Sequence, residues 1–132
     1  MQSLTLTKKQ LQQMIAHADA QAPLEACGLL AGINSKVKSV IEVRNQAQSA
    51  VRFVMEPIEQ LNAFEWIESR GLELVGIFHS HPAGPDVVSP TDIKEAAYAV
   101  VHVILARVDD LWNARGFWIE DETFREVPLQ VR

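Results

Sequence analysis

The stretch "HSHPAGPDVVSPTD" (79–92) holds two histidines one residue apart, a serine and an aspartate. On an extended strand, side chains two residues apart share a side. His79 and His81 can therefore reach one ion while Ser80 points away. Asp92, held in a first helical turn, can bring a carboxylate to the same point once the loop folds back. Two neutral imidazoles and one carboxylate leave an open position for water on tetrahedral zinc, the pattern of a catalytic rather than a structural site. Pro82, Pro85 and Pro90 restrict the loop and Gly84 permits a turn that other residues resist, so closing such a cage loses less entropy. The competing reading is a solvated polar loop at a strand end, in which ligand-type residues are incidental.

The elements that must position these residues can be read from spacing. Thr7 is a helix cap for 8–19, where Leu11, Met14, Ile15 and Ala18 recur at helical intervals, and Pro23 closes that region. "CGLLAGI" (27–33) and "KVKSVIEV" (36–43) read as strands joined by a tight turn at Asn34-Ser35. "VRFVM" (51–55) reads as a third short strand. Pro57 opens a helix to about Ser69, which Gly71 stops. "LELVGIFHSH" (72–81) is an apolar run that turns polar at its end, as expected of a buried strand delivering its last residues to a site. Ser89-Pro90 reads as cap and first position of a helix to about Ala99, with Thr91 and Asp92 in the opening turn. "VVHVILARV" (100–108), "LWNARGFWIE" (111–120) and "FREVPLQV" (124–131) supply the last strands. The expected fold is mixed α/β (α+β): a mixed β-sheet flanked by helices.

At 132 residues the chain has room for one core, and with 48% apolar residues a packed globule is expected. A net charge of −5, with no basic run beyond Lys8-Lys9, argues against nucleic acid as partner. Cys27 is the one cysteine, so an intrachain disulfide and a Cys-rich zinc site are both excluded. No apolar run approaches membrane-spanning length and the N-terminus is not of signal-peptide type. The expectation is a cytoplasmic protein with no membrane partner.

The spacing His79-Ser-His81, seven residues, Ser89, two residues, Asp92 resembles the signature of the JAMM (MPN+) zinc metalloproteases, the family of ubiquitin-deconjugating isopeptidases. That family also needs an upstream glutamate, which "PLEACGLLAG" (23–32) supplies as Glu25. Weaker likeness at Asn45, "RFVMEPIE" (52–59) and the closing "FWIEDETFREVPLQV" extends the resemblance over nearly the whole chain. It implies one JAMM/MPN+ domain over 1–132, with the JAMM/MPN (cytidine-deaminase-like) fold. It implies one Zn²⁺ per chain held by His79, His81 and Asp92, with Glu25 as general base and Ser89 donating to the oxyanion.

Physical chemistry agrees with those roles. A carboxylate serves as base and then as acid if burial lifts its pKa, and "EACGLL" sets Glu25 beside apolar sequence. For Glu25 the plain alternative is a surface carboxylate before a strand; for Ser89 it is helix capping alone, which draws on the same hydroxyl. Ser80 reads as a strand residue making structural hydrogen bonds. Cys27 reads as a small buried residue that could face the site side, His17 as a surface histidine and His102 as a packed one. The three tryptophans read as packing.

The short connections resemble the compact prokaryotic form of the family. That form implies as substrate a ubiquitin-like or sulfur-carrier protein with a C-terminal Gly-Gly tail, with residues 49–55 a candidate edge for the tail to pair on. A zinc hydrolase of other peptides or cysteine adducts, and a non-catalytic scaffold module, remain as alternatives. A zinc deaminase is set aside, because its H-x-E and P-C-x-x-C elements are absent. The oligomeric state, a homodimer included, is not set by the sequence.

Overall fold

The computed structural model describes residues 3–132. Helix α1 spans Lys8–Gln21, and its start is a reciprocal cap: Thr7 Oγ1 accepts from Gln10 N, and Gln10 Oε1 accepts from Thr7 N. Such a box satisfies two of the N–H groups that every helix start leaves without intrahelical partners. Before it lies β1 (Leu4–Leu6), which the sequence reading did not assign, its three residues being too few to show a period. Strands β2 (Cys27–Ile33) and β3 (Lys36–Val43) fall where expected. Asn34 and Ser35 between them have φ of 51° and 65°, the paired positive values of a type I′ hairpin.

Helix α2 (Pro57–Ser69) and β4 (Glu73–His81) also match. Helix α3 (Pro90–Glu95) is shorter than expected, ending at Glu95 instead of about Ala99. Strands β5 (Val101–Val108) and β6 (Leu111–Glu120) follow. The last expected strand is divided at Pro128 into β7 (Thr123–Val127) and β8 (Leu129–Val131), since proline has no N–H to give a ladder. Residues 51–55 are not a strand. That segment is irregular and touches the sheet through one bridge, Asn45 to Met55.

The eight strands form one sheet in the order β7-β6-β5-β4-β2-β3-β1-β8. A single residue, Pro128, joins its two end strands, so those ends must lie side by side and the sheet curls. It wraps α1: Leu4, Leu6, Met14, Ala18, Phe78, Val101, Val103 and Val127 are buried together on the concave side. On the other side α2 covers Cys27, Leu29, Met55, Ala63, Ile67 and Ile77. Ile104, Ala106, Phe117 and Ile119 pack there beneath Val88 and Ile93. Burying a Met14- or Phe78-sized side chain stabilises by roughly 1.5–3 kcal/mol each, which is what closes the curl.

Strand β4 is covered on both sides, so it reads as a continuous apolar run instead of an alternating one. It lies between β2, antiparallel, and β5, parallel. Phe78 and its neighbours face α1, whereas Ile77, His79 and His81 face the α2 side. Among the described residues no helix is long and apolar enough to cross a membrane.

Candidate active site

The end of β4 brings its histidines to the rim as their i, i+2 spacing predicts. Their Nε2 atoms lie 3.2 Å apart. Asp92 meets both, Oδ1 at 3.1 Å from His79 Nε2 and Oδ2 at 3.1 Å from His81 Nε2. All three side chains are at least nine-tenths buried.

What returns Asp92 to β4 is a local device. Gly84, with φ of 68°, makes the turn after the strand, and its N–H bonds the His81 carbonyl at 2.9 Å. Ser89 then caps α3: its Oγ accepts from Asp92 N at 3.0 Å while Asp92 Oδ2 accepts from Ser89 N at 2.9 Å. One carboxylate thus completes a capping box and faces two imidazoles. The cap uses a lone pair of Ser89 Oγ, so capping and proton donation by this hydroxyl do not compete.

The loop also sets the His81 tautomer. His81 Nδ1 lies 2.8 Å from the Pro85 carbonyl, which can only accept, so Nδ1 carries a proton and Nε2 is the nitrogen turned to Asp92. His79 is held differently: its ring stacks on Phe53 with centroids 4.7 Å apart.

Glu25 reaches this point from the residues before β2. Cys27 pairs with His79 across β2 and β4, so Glu25 lies just beyond the end of that ladder. Ser80 pins the approach from below, its Oγ accepting from Ala26 N at 2.7 Å and its N–H bonding the Ala26 carbonyl at 3.0 Å. Asn45 pins it from the side. Its Nδ2 donates to the carbonyls of Glu25 and Arg52, and its Oδ1 accepts from the N–H of Ala47 and Val54. Glu25 is 3% exposed, and Oε1 has no hydrogen-bond partner among the described residues. Glu25, His79 and His81 each offer a donor atom within 4.8 Å of the others, a buried group that could hold a metal ion.

Burial controls the electrostatics. Desolvation lifts Glu25 from 4.5 to about 8, His81 opposing and Asp92 adding. Desolvation also lifts Asp92, but its bonds with both imidazoles and the Ser89 N–H hold it well below the usual carboxylate range. His79, fully buried, is pushed down by desolvation. For His81 desolvation is outweighed by Asp92 and the Pro85 carbonyl, and the net shift is upward. The two carboxylates of this corner thus have opposite characters, one pushed up toward neutral pH and one held ionised, which separates a proton carrier from a fixed anion.

All five expected site residues occupy this one corner of the sheet, Glu25 and Asp92 in direct reach of the histidines and Ser89 through its bonds with Asp92. Cys27 faces the same side and is buried, its Sγ donating to the Val43 carbonyl at 3.3 Å and its pKa pushed up by desolvation to about 12. That is an inert thiol. His17 is not a surface residue as expected: its side chain is 10% exposed, edge-on to Phe78, with Nδ1 3.4 Å from Glu42. The curl of the sheet around α1, which helical spacing cannot reveal, encloses it. Phe53 and the Pro85 carbonyl were not singled out as site components, because a stacking ring and a backbone oxygen carry no spacing signature.

Residues 7–120 match the family described as prokaryotic homologs of the JAB domain. The chain belongs to this JAB-domain family. It is 41% identical over 95 residues to a probable TtuB-protein conjugate cleaving protease of Thermus thermophilus, covering 71% of this chain and 64% of that one. It is 43% identical over 75 residues to a desampylase of Pyrococcus furiosus, covering 57% of this chain and 54% of that one. The chain thus spans less than two thirds of either relative's length. A CysO-cysteine peptidase of Mycobacterium tuberculosis is 32% identical over 122 residues, covering 89% and 84% of the two chains.

Among solved structures, a Desulfitobacterium hafniense protein superposes with a TM-score of 0.87 at 33% identity, covering 98% of this chain and 92% of its own. A JAB1/MPN domain protein from Archaeoglobus fulgidus shares the fold, with a TM-score of 0.64 at 20% identity and 98% of each chain covered.

Proposed function

We propose that this chain is a zinc-dependent peptidase or isopeptidase that cleaves after the C-terminal Gly-Gly of a ubiquitin-like or sulfur-carrier protein. We read the chain as one JAB domain doing this work. The observation that carries the reading is the convergence of His79, His81 and Asp92: the two Nε2 atoms lie 3.2 Å apart and each meets one carboxylate oxygen at 3.1 Å, Oδ1 for His79 and Oδ2 for His81. Donors held about 2.0–2.1 Å from a tetrahedral zinc stand about 3.3 Å from one another, so the donor set fits such an ion in kind and in size. Three protein ligands leave a fourth position open, and the pKa difference separates ligand from base. Asp92 stays ionised and would bind the ion, whereas Glu25, raised from the ordinary carboxyl range to about 8, can both take up and release a proton near neutral pH.

Bound zinc supplies Lewis acidity, making water a nucleophile near neutral pH and polarising the carbonyl under attack. In its ionised form Glu25 would accept a proton from the attacking water and give it to the departing amine, its Oε1 being buried and without a competing partner among the described residues. Ser89, whose hydroxyl proton the cap leaves unused, donates to the oxygen on which negative charge develops. The loop 82–88 keeps His81 in the tautomer that presents Nε2.

Substrate class follows from the relatives and from the cavity at the site. The relatives are named as a probable TtuB-protein conjugate cleaving protease, a desampylase and a CysO-cysteine peptidase. A cavity of about 250 Å³ lies against His79 and Asp92, walled by Phe53, Met55, Ile77 and Tyr98. A slim glycine tail suits a space of that size, and on this reading bulky side chains at the scissile bond are rejected. Residues 49–55, being irregular, offer the tail no strand ladder, although Gln46 and Val54 are already bonded to each other there at 2.7 Å.

The test is a panel of Gly-Gly-tailed β-grasp proteins fused or isopeptide-linked to a reporter, read by intact mass. Cleavage after the second glycine, abolished by chelator and restored by zinc, is expected. Intact fusions in the presence of stoichiometric zinc would refute the substrate, and cleavage indifferent to chelator would refute the metal.

A further inference from the structure

A histidine that binds a metal through one nitrogen almost always gives its other N–H to a partner that fixes the ring. His81 has one, the Pro85 carbonyl. His79 does not: its Nδ1 is buried with no partner among the described residues. If Nε2 faces the ion, as the function proposed above requires, then Nδ1 carries a proton with no acceptor. Such an unmade hydrogen bond costs roughly 1–3 kcal/mol.

A complementary group lies close by. His102 is the register partner of Ile77 in the parallel pairing of β4 and β5, and Ile104 is the partner of His79. His102 and His79 are therefore diagonal neighbours on the same side of adjacent strands, and both line the cavity beside the site. His102 is 4% exposed, and its Nε2 has no partner among the described residues. The Tyr98 backbone acts on the ring in the sense that favours a ring proton, and with that proton on Nδ1 the unpartnered Nε2 is a bare acceptor. Burial, with His79 as a second cause, brings His102 down to about 4 and so holds it neutral. One buried donor and one buried acceptor thus sit on residues that line the same cavity, each lacking a protein partner among the described residues.

We propose that His102 is the outer partner of His79. One buried water accepts from His79 Nδ1–H and donates to His102 Nε2, fixing the His79 tautomer that leaves Nε2 free for the metal. The cavity has room for such a water, whose share of liquid volume is about 30 Å³, and two polar partners suffice to hold it. His102 touches neither metal nor substrate; it is a positioning residue acting through His79.

Two measurements on the full chain test this. Long-range ¹H–¹⁵N spectra of the zinc-loaded protein should show the proton of His102 on Nδ1 with Nε2 bare, and the proton of His79 on Nδ1. A proton on His102 Nε2 overturns the proposal. Chelator competition should show zinc bound 10–100-fold more weakly by His102→Phe, with His102→Gln, whose carboxamide can accept from the same water, back within a few-fold. Wild-type affinity in His102→Phe overturns the proposal; should that variant not fold, the wild-type spectrum decides. Loss of zinc on His79→Ala with no change on His102→Phe removes this inference alone. A wild-type chain that takes up no zinc, or keeps it in His79→Ala, removes the ligand set on which the inference rests.

Discussion

Replacing Glu25 with glutamine separates its two properties, proton transfer and buried charge, with almost no change of volume. Removing a positioned general acid–base costs about 10²–10⁴ in kcat, or about 3–5 kcal/mol of barrier. The stability effect has the opposite sign. In the metal-free chain Glu25 titrates at about 8 against 4.5 for the ordinary carboxyl. Between those values the folded state holds a proton that the unfolded state has released, so stability falls as pH rises through that window and levels off above it. At about 1.4 kcal/mol per pH unit, the loss by pH 7 is up to about 3 kcal/mol, an upper bound because some solvent reaches the carboxyl. Glutamine has no charge to bury and removes that loss.

The metal-free Glu25→Gln protein should therefore melt higher than wild type at pH 8 and close to it at pH 4.5. A difference of 1–3 kcal/mol corresponds to roughly 3–10 °C for a chain of this size. Zinc content should be retained, since Glu25 is not among the three proposed ligands. Single-turnover cleavage and calorimetry across pH 4.5–8.5 measure both. Activity within tenfold of wild type would refute the proton-transfer role, and identical pH–stability curves would refute the buried protonated carboxyl.

Three further perturbations follow from the same geometry. His79→Ala or Asp92→Ala removes one of the three converging side chains and should leave well under a tenth of the wild-type zinc by elemental analysis, with cleavage lost. Ser89→Ala removes both a helix cap and an oxyanion donor, so kcat should fall about 10²–10³ while stability falls only about 1 kcal/mol, which kinetics and denaturant melts report separately. Ser80→Ala leaves the buried Ala26 N–H without its acceptor and should cost about 1–3 kcal/mol in urea unfolding, with reduced kcat through the loosened Glu25.

Much of the site was legible because its placement is local. The i, i+2 spacing turns His79 and His81 to one side of any strand, and Ser89, three residues before Asp92, builds a capping box that carries the carboxylate with it. Gly84 announced its turn, and Thr7 and Pro57 announced their helices. The short strands at the chain's two ends did not announce themselves, nor did the failure of 51–55 to become a strand, because neither property is carried by the segment itself.

Sequence alone, then, determined which side chains could share an ion and what chemistry such a set could perform, since strand pleat and helix capping operate within a few covalent bonds. Tertiary structure alone decided where Glu25 stands, through the pairing of Cys27 with His79 and the bonds of Ala26 with Ser80. It decided too that burial raises the Glu25 pKa, that His17 is enclosed, and that His102 comes beside His79. These depend on which strands lie together and on how much water they exclude, and both are set by the burial of residues far apart along the chain.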